Sequence, residues 1–111
     1  GSPNILFPVD VRDYSTRGLE QLGCTNAIVG HVWLGDENGT AGSFAPYDSD
    51  MAEFLLYFGA RKIILSHLYE IGRDDSGMWR REHAEHIKRM IHKRSPDTEV
   101  IIPSPGKIFR I

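Results

Sequence analysis

One cysteine in 111 residues, Cys24, excludes an internal disulfide framework and sets the expectation of a reducing, cytoplasmic setting. Long apolar runs are missing too: none approaches the roughly 20 residues that a membrane-spanning helix needs. Charge of one sign is not in excess. Thirteen Lys and Arg face fifteen Asp and Glu, for a formal net charge of −2. That balance provides no electrostatic reason to expect nucleic acid or an anionic membrane as partner. The chain also lacks a P-loop, a G-x-G-x-x-G turn and a G-x-S-x-G elbow. The glycines from Gly35 to Gly42 are too scattered to cradle a phosphate. With 41% hydrophobic residues, what remains is an ordinary globular composition of about one domain.

What the sequence does contain is a series of apolar runs that end in polar side chains. Ile63-Ile64-Leu65 is a short β-branched run typical of a buried parallel strand, and it leads through Ser66 to His67. Ile5-Leu6-Phe7-Pro8-Val9 leads in the same way to Asp10, and Ala27-Ile28-Val29-Gly30 to His31. Open α/β sheets keep their ligand sites at the carboxyl ends of strands. Three strands that end in an imidazole or a carboxylate therefore point to a metal site, or to half of one. Each residue also has a structural alternative. Asp10 can cap a helix or serve a turn, with Asp13 competing for that role. His67 can be a half-buried histidine bonded to a backbone carbonyl. His31 can support the glycine-rich loop Gly35–Ala45.

The pattern along the chain is β-α-β-α-β-α-β-β. Asn4 to Val11 is expected as the first strand, with Pro8 marking a bulge or an edge position. Ser15 or Thr16 caps a short helix through Leu22, which Gly23 ends. Asn26 to Val32 is the second strand. From Pro46 to Gly59 the spacing of Met51, Phe54, Leu55 and Phe58 predicts an amphipathic helix, with Asp50 and Glu53 resembling a capping box and Asp48 and Ser49 as competing caps. The third strand runs through His67. Met78 to Arg94 forms the longest helix, with Trp79, Ile87, Met90 and Ile91 on its inner face and Glu85 placed to pair with Arg89. Glu99 to Pro103 and Lys107 to Ile111 are the closing strands. Alternating strands and helices imply a mainly parallel sheet with right-handed crossovers. One α/β domain is expected over residues 3–111. Gly1-Ser2 resembles a tag scar, and the abrupt start in a strand suggests a piece of a longer protein.

His83 and His86 make an H-x-x-H on the last helix, but zincin chemistry needs a spacing of four with a glutamate after the first histidine. His83 is expected to pack beside Trp79 and Ile87, and His86 and His92 to be solvated. Cys24 has no neighbouring base in sequence and is expected as a small buried apolar residue.

Taken together, these residues resemble the C-terminal half of the metallo-β-lactamase fold, in which each half contributes a sheet and outer helices to an αββα sandwich. Ile5–Asp10 is similar to the family's aspartate motif, Asn26–Gly35 to the following strand and loop, and Gly59–Leu68 to its last histidine motif. Val100–Ile111, with its Pro-Gly turn, is similar to the closing strands. The H-x-H-x-D-H motif is absent and belongs to the family's other half. The resemblance implies a metal-dependent hydrolase acting on a carbonyl or phosphoryl centre. Asp10 would bridge two zinc ions, His67 would ligate one of them, and His31 and Tyr69 would stand at the site wall. It implies as partner an N-terminal half of the same protein or a second copy of this chain, and negligible activity from this chain alone. The competing expectation is a non-catalytic α/β binding or oligomerisation domain whose histidines are structural. Neither reading specifies a substrate.

Overall fold

A computed structural model of the chain describes residues 4–8, 14–22, 25–34, 45–69, 71–72 and 78–104. Within them the fold is α/β, a four-stranded parallel sheet with two α-helices. The strands are β1 (Ile5–Leu6), β2 (Ala27–His31), β3 (Lys62–Ser66) and β4 (Glu99–Ile101), and the helices are α1 (Tyr47–Tyr57) and α2 (Arg81–Arg94). The sheet order β1-β2-β3-β4 follows the chain.

That order has a geometric consequence. Every connection moves one strand in the same direction, so right-handed crossovers place every connecting segment on the same face. The register identifies that face. Ile28 pairs with Ile63, Ile63 with Val100, and Gly30 with Leu65. Ile28, Ile63, Leu65 and Val100 join Met51, Phe54, Leu55 and Phe58 of α1 and its end, and Ile87 and Ile91 of α2, in one core. Alternation puts Ile5, Ala27, Val29, Ile64 and Ile101 on the opposite face. They are apolar as well; Lys62 and Glu99 pair at the amino edge of the same face, and Ala27 and Ile64 are already buried there.

The Met51-Phe54-Leu55-Phe58 stripe is at most 2% exposed, so the period-3.6 pattern identified the buried face of α1 correctly. Burying four such side chains contributes about 1.5–3 kcal/mol each. Gly59 ends the helix with φ +64°, a left-handed conformation that glycine adopts without a Cβ penalty. The expected Asp50–Glu53 capping box does not form. Pro46 takes the N-cap position without a side-chain cap bond, and the Ser49 hydroxyl donates to the Pro46 carbonyl instead. Asp48 and Asp50 still suit the positive end of the helix dipole.

Other elements are shorter than expected. β1 is two residues long and is an edge strand, which fits Pro8 just after it. The helix expected from Ser15 or Thr16 to Leu22 is a 3-10 turn over Glu20–Leu22. α2 begins at Arg81, three residues after Met78. Lys107–Ile111, Cys24, and the loop Gly35–Ala45 except Ala45 lie outside the described residues. No described helix is long and apolar enough to cross a membrane.

Candidate functional site

The carboxyl edge of β2 and β3 brings His31 and His67 together. His31 is the last residue of β2 and pairs in register with Ser66, the last of β3. His67 follows immediately. The two imidazoles stack with centroids 4.9 Å apart and planes 24° from parallel. The Val32 N–H donates to the Ser66 carbonyl (3.0 Å), extending the ladder, and the Ser66 hydroxyl donates to the Gly30 carbonyl (3.2 Å). The ends of the two strands are thus fixed before either histidine is placed.

Beyond the strand the backbone turns sharply. His67 has φ +67° and Tyr69 φ +56°, both left-handed and neither a glycine. Each such residue costs on the order of 1–2 kcal/mol. Tyr69 is held by two hydrogen bonds: its N–H donates to the Trp79 carbonyl (2.8 Å), and its phenolic oxygen accepts the Arg81 N–H (3.1 Å). An open cleft of about 390 Å³ lies against this turn, lined by Leu65, Ser66, His67, Leu68, Tyr69 and Ser104 among others. Its size is within the range of small-molecule sites. The Arg81 guanidinium reaches the Ser104 hydroxyl (3.4 Å) and the Glu85 carboxylate (3.6 Å).

The start of α2 carries a histidine, His83, expected beside Trp79 from the sequence. His83 stands edge-on to Trp79, with centroids 5.3 Å apart at 89°. Its Nδ1 accepts the Arg80 N–H at 2.7 Å, the task a glutamate performs at N3 of a capping box. Burial holds this imidazole below the usual histidine range, in the neutral form that leaves Nδ1 free to accept.

His86 and His92 are not simply solvated, as had been expected. His86 Nε2 meets Asp48 Oδ2 at 2.9 Å, and His92 Nε2 meets the Thr98 carbonyl at 2.9 Å. Burial pushes the Asp48 carboxyl up, but the hydrogen bonds from His86 and the Ser49 N–H outweigh it and leave the carboxyl below its ordinary value. Burial raises the Tyr14 phenol, which donates to the Trp33 carbonyl at 2.9 Å.

No family model, curated protein or solved structure matches this chain.

Asp10 lies outside the described residues. Among the described residues, no group of three or more His, Cys, Asp or Glu gathers as an ion would require. The His31–His67 pair can be tested against zinc directly. A Zn–N bond is about 2.0–2.1 Å and lies close to the imidazole plane. Two nearly parallel rings 4.9 Å apart aim their nitrogen lone pairs side by side, not at one point. The pair therefore does not chelate a single ion as it stands. His67 lines the cleft at the strand end, with the His31 ring stacked against it. Tyr69 flanks the same cleft, half exposed.

Proposed function

We propose that this chain is the carboxyl-terminal half of a metal-dependent hydrolase of metallo-β-lactamase fold, and that its parallel sheet and two α-helices form half of an αββα sandwich. The observation that carries the reading is the one-sided layer. Both α-helices lie on one face of an all-parallel sheet, Ile5, Val29 and Ile101 keep partial exposure on the other, and two imidazoles stand at its carboxyl edge. A second sheet would cover the apolar face, and a site between the sheets would include His67.

In this reading His67 and Asp10 would help to hold the zinc, one through an imidazole nitrogen and the other through its carboxylate. Zinc, when bound, supplies a Lewis acid that polarises a carbonyl or phosphoryl oxygen. The chain's own residues prepare the site. His31 stacks on the His67 ring and limits its rotation. The Ser66 hydroxyl, bonded to Gly30, ties β3 to β2 beneath it. Leu65 and Leu68 provide apolar wall to the cleft, and Tyr69 and Ser104 provide hydroxyls. Zinc prefers four ligands, and two do not suffice. The remaining ligands would come from an N-terminal half, and the 111 residues alone would bind zinc weakly and turn over no substrate.

The test is zinc content and hydrolysis in a polypeptide that carries both halves, as wild type, Asp10→Ala and His67→Ala. Loss of zinc and of turnover in each variant is expected; wild-type zinc retention in both overturns the assignment.

The stacked histidines favour a second reading, a non-catalytic binding or oligomerisation domain, because imidazoles packed face to face also serve as structure. In that case His67→Ala lowers thermal stability and leaves metal content unchanged. Either reading calls for a partner on the apolar face, an N-terminal half or a second copy of this chain. Light scattering of the 111-residue chain should detect a dimer; a clean monomer at micromolar concentration removes the second copy.

A further inference from the structure

We propose that Tyr69 is a positioning residue for His67: by gripping the first turn of α2 with its backbone and its phenol, it fixes the turn from which the His67 imidazole projects. The assignment rests on the proposed function only in treating His67 as the site residue.

Three consecutive residues at the start of α2 are involved. The Trp79 carbonyl accepts the Tyr69 N–H (2.8 Å), the Arg80 N–H goes to His83 Nδ1 (2.7 Å), and the Arg81 N–H goes to the Tyr69 phenolic oxygen (3.1 Å). The first N–H groups of a helix have no partner within the helix, so side chains that accept them are anchors. Here one anchor, His83, comes from α2 itself. The other comes from twelve residues upstream, two residues after His67.

The turn between them needs such an anchor. His67 and Tyr69 both hold left-handed φ values that non-glycine residues rarely adopt, and conformations of this kind persist only where the surroundings impose them. β3 fixes the turn at one end through the Val32–Ser66 bond, and Tyr69 fixes the other. His67 lies between the two fixed points, with its ring stacked on His31. Half-exposed Tyr69 is thus more than cleft wall, because its hydroxyl connects the orientation of His67 to the start of α2.

The test uses two substitutions that remove opposite partners of the same bond in the 111-residue chain. Tyr69→Phe removes the acceptor and keeps the ring. Arg81→Pro removes the donor at the first helical position, where proline is well tolerated. Arg80 is already extended (φ −122°, ψ 172°), as a residue before proline should be. Arg81→Ala controls for loss of the guanidinium. Hydrogen exchange and imidazole ¹H–¹⁵N correlation spectra provide the readouts.

In Tyr69→Phe the Arg81 amide should exchange about five- to tenfold faster. The His67 ring resonances should move in the same direction in Tyr69→Phe and Arg81→Pro and stay in place in Arg81→Ala. The methyl signals of Ile63 and Leu65 should not move in any of the three. If Arg81 exchange quickens while the His67 ring keeps its wild-type resonances, Tyr69 is a helix cap only and the proposal fails. Zinc content of the polypeptide that carries both halves separates this from the functional reading. Loss of zinc in His67→Ala with unmoved ring signals in Tyr69→Phe leaves the hydrolase and removes the brace. Ring signals that move, with zinc retained in His67→Ala, leave the brace and remove the hydrolase.

Discussion

Gly30 shows how closely single residues are fitted in this fold. A Cβ built there would stand 2.7 Å from Leu55 Cδ2, and Leu55 is only 1% exposed with little room to yield. Gly30→Ala should therefore destabilise the protein by about 1–3 kcal/mol, read as a lower urea midpoint with an unchanged slope. Ile63→Ala, in the fully buried centre of β3, should cost about 2–5 kcal/mol by the same measurement. His83 makes a pH prediction. The folded imidazole titrates below the unfolded value of 6.5, so the unfolded chain binds more protons between those two values. Stability should fall as pH drops from about 6.5 toward the folded value, and His83→Gln should flatten that part of the curve. Asp48, with a lowered carboxyl, acts in a separate window: its contribution is present above 3.8 and is lost as pH falls through the folded value. Of these features, the burial of Ile63 could be foreseen from its β-branched run. The closeness of Gly30 to Leu55 could not, because it depends on where a helix crosses a strand.

At the scale of elements, α1 and α2 are joined by charged groups as well as by core. Asp48 of α1 meets His86 of α2, and Glu53 of α1 meets Arg94 of α2 at 2.9 Å. The Glu53–Arg94 pair is exposed and should contribute little. The Asp48–His86 pair is half-buried, so a double-mutant cycle of Asp48→Ala and His86→Ala should yield a coupling energy of about 0.5–1 kcal/mol. Both helices were legible from their apolar spacing: Ile87 and Ile91 are buried on α2 as expected, Met90 is partly buried against the same core, and Trp79 is buried just before the helix. Their N-termini were not. Capping-box reasoning pointed to Asp50 and Glu53, but the chain uses Pro46 for α1, and His83 with Tyr69 for α2. A histidine three residues after an N-cap was the available signal for His83. Tyr69 left no local signal, since it reaches α2 across a turn. His86 was expected in solvent because its partner is 38 residues away.

For the molecule as a whole, the sheet order decides most. Strands added one after another in the same direction place both helices on a single face. Ile5, Val29 and Ile101 on the other face keep partial exposure, and Ile5 reaches 39%. If that face meets a second sheet, Val29→Asp should convert the associated form to monomer in light scattering while cooperative thermal unfolding survives. An unchanged mass would place the contact elsewhere.

Hydropathy pointed to an α/β fold with a parallel sheet and to the inner faces of α1 and α2, because burial imposes periods of 2 and 3.6 on any chain that folds this way; the helix it suggested before β2 is only a 3-10 turn. It also located two imidazoles at strand ends. Only the tertiary structure decided that those rings stack on each other, that Tyr69 grips α2, and that both helices share one face. Each of these depends on register and crossing between segments far apart in sequence, and local spacing carries no record of that geometry.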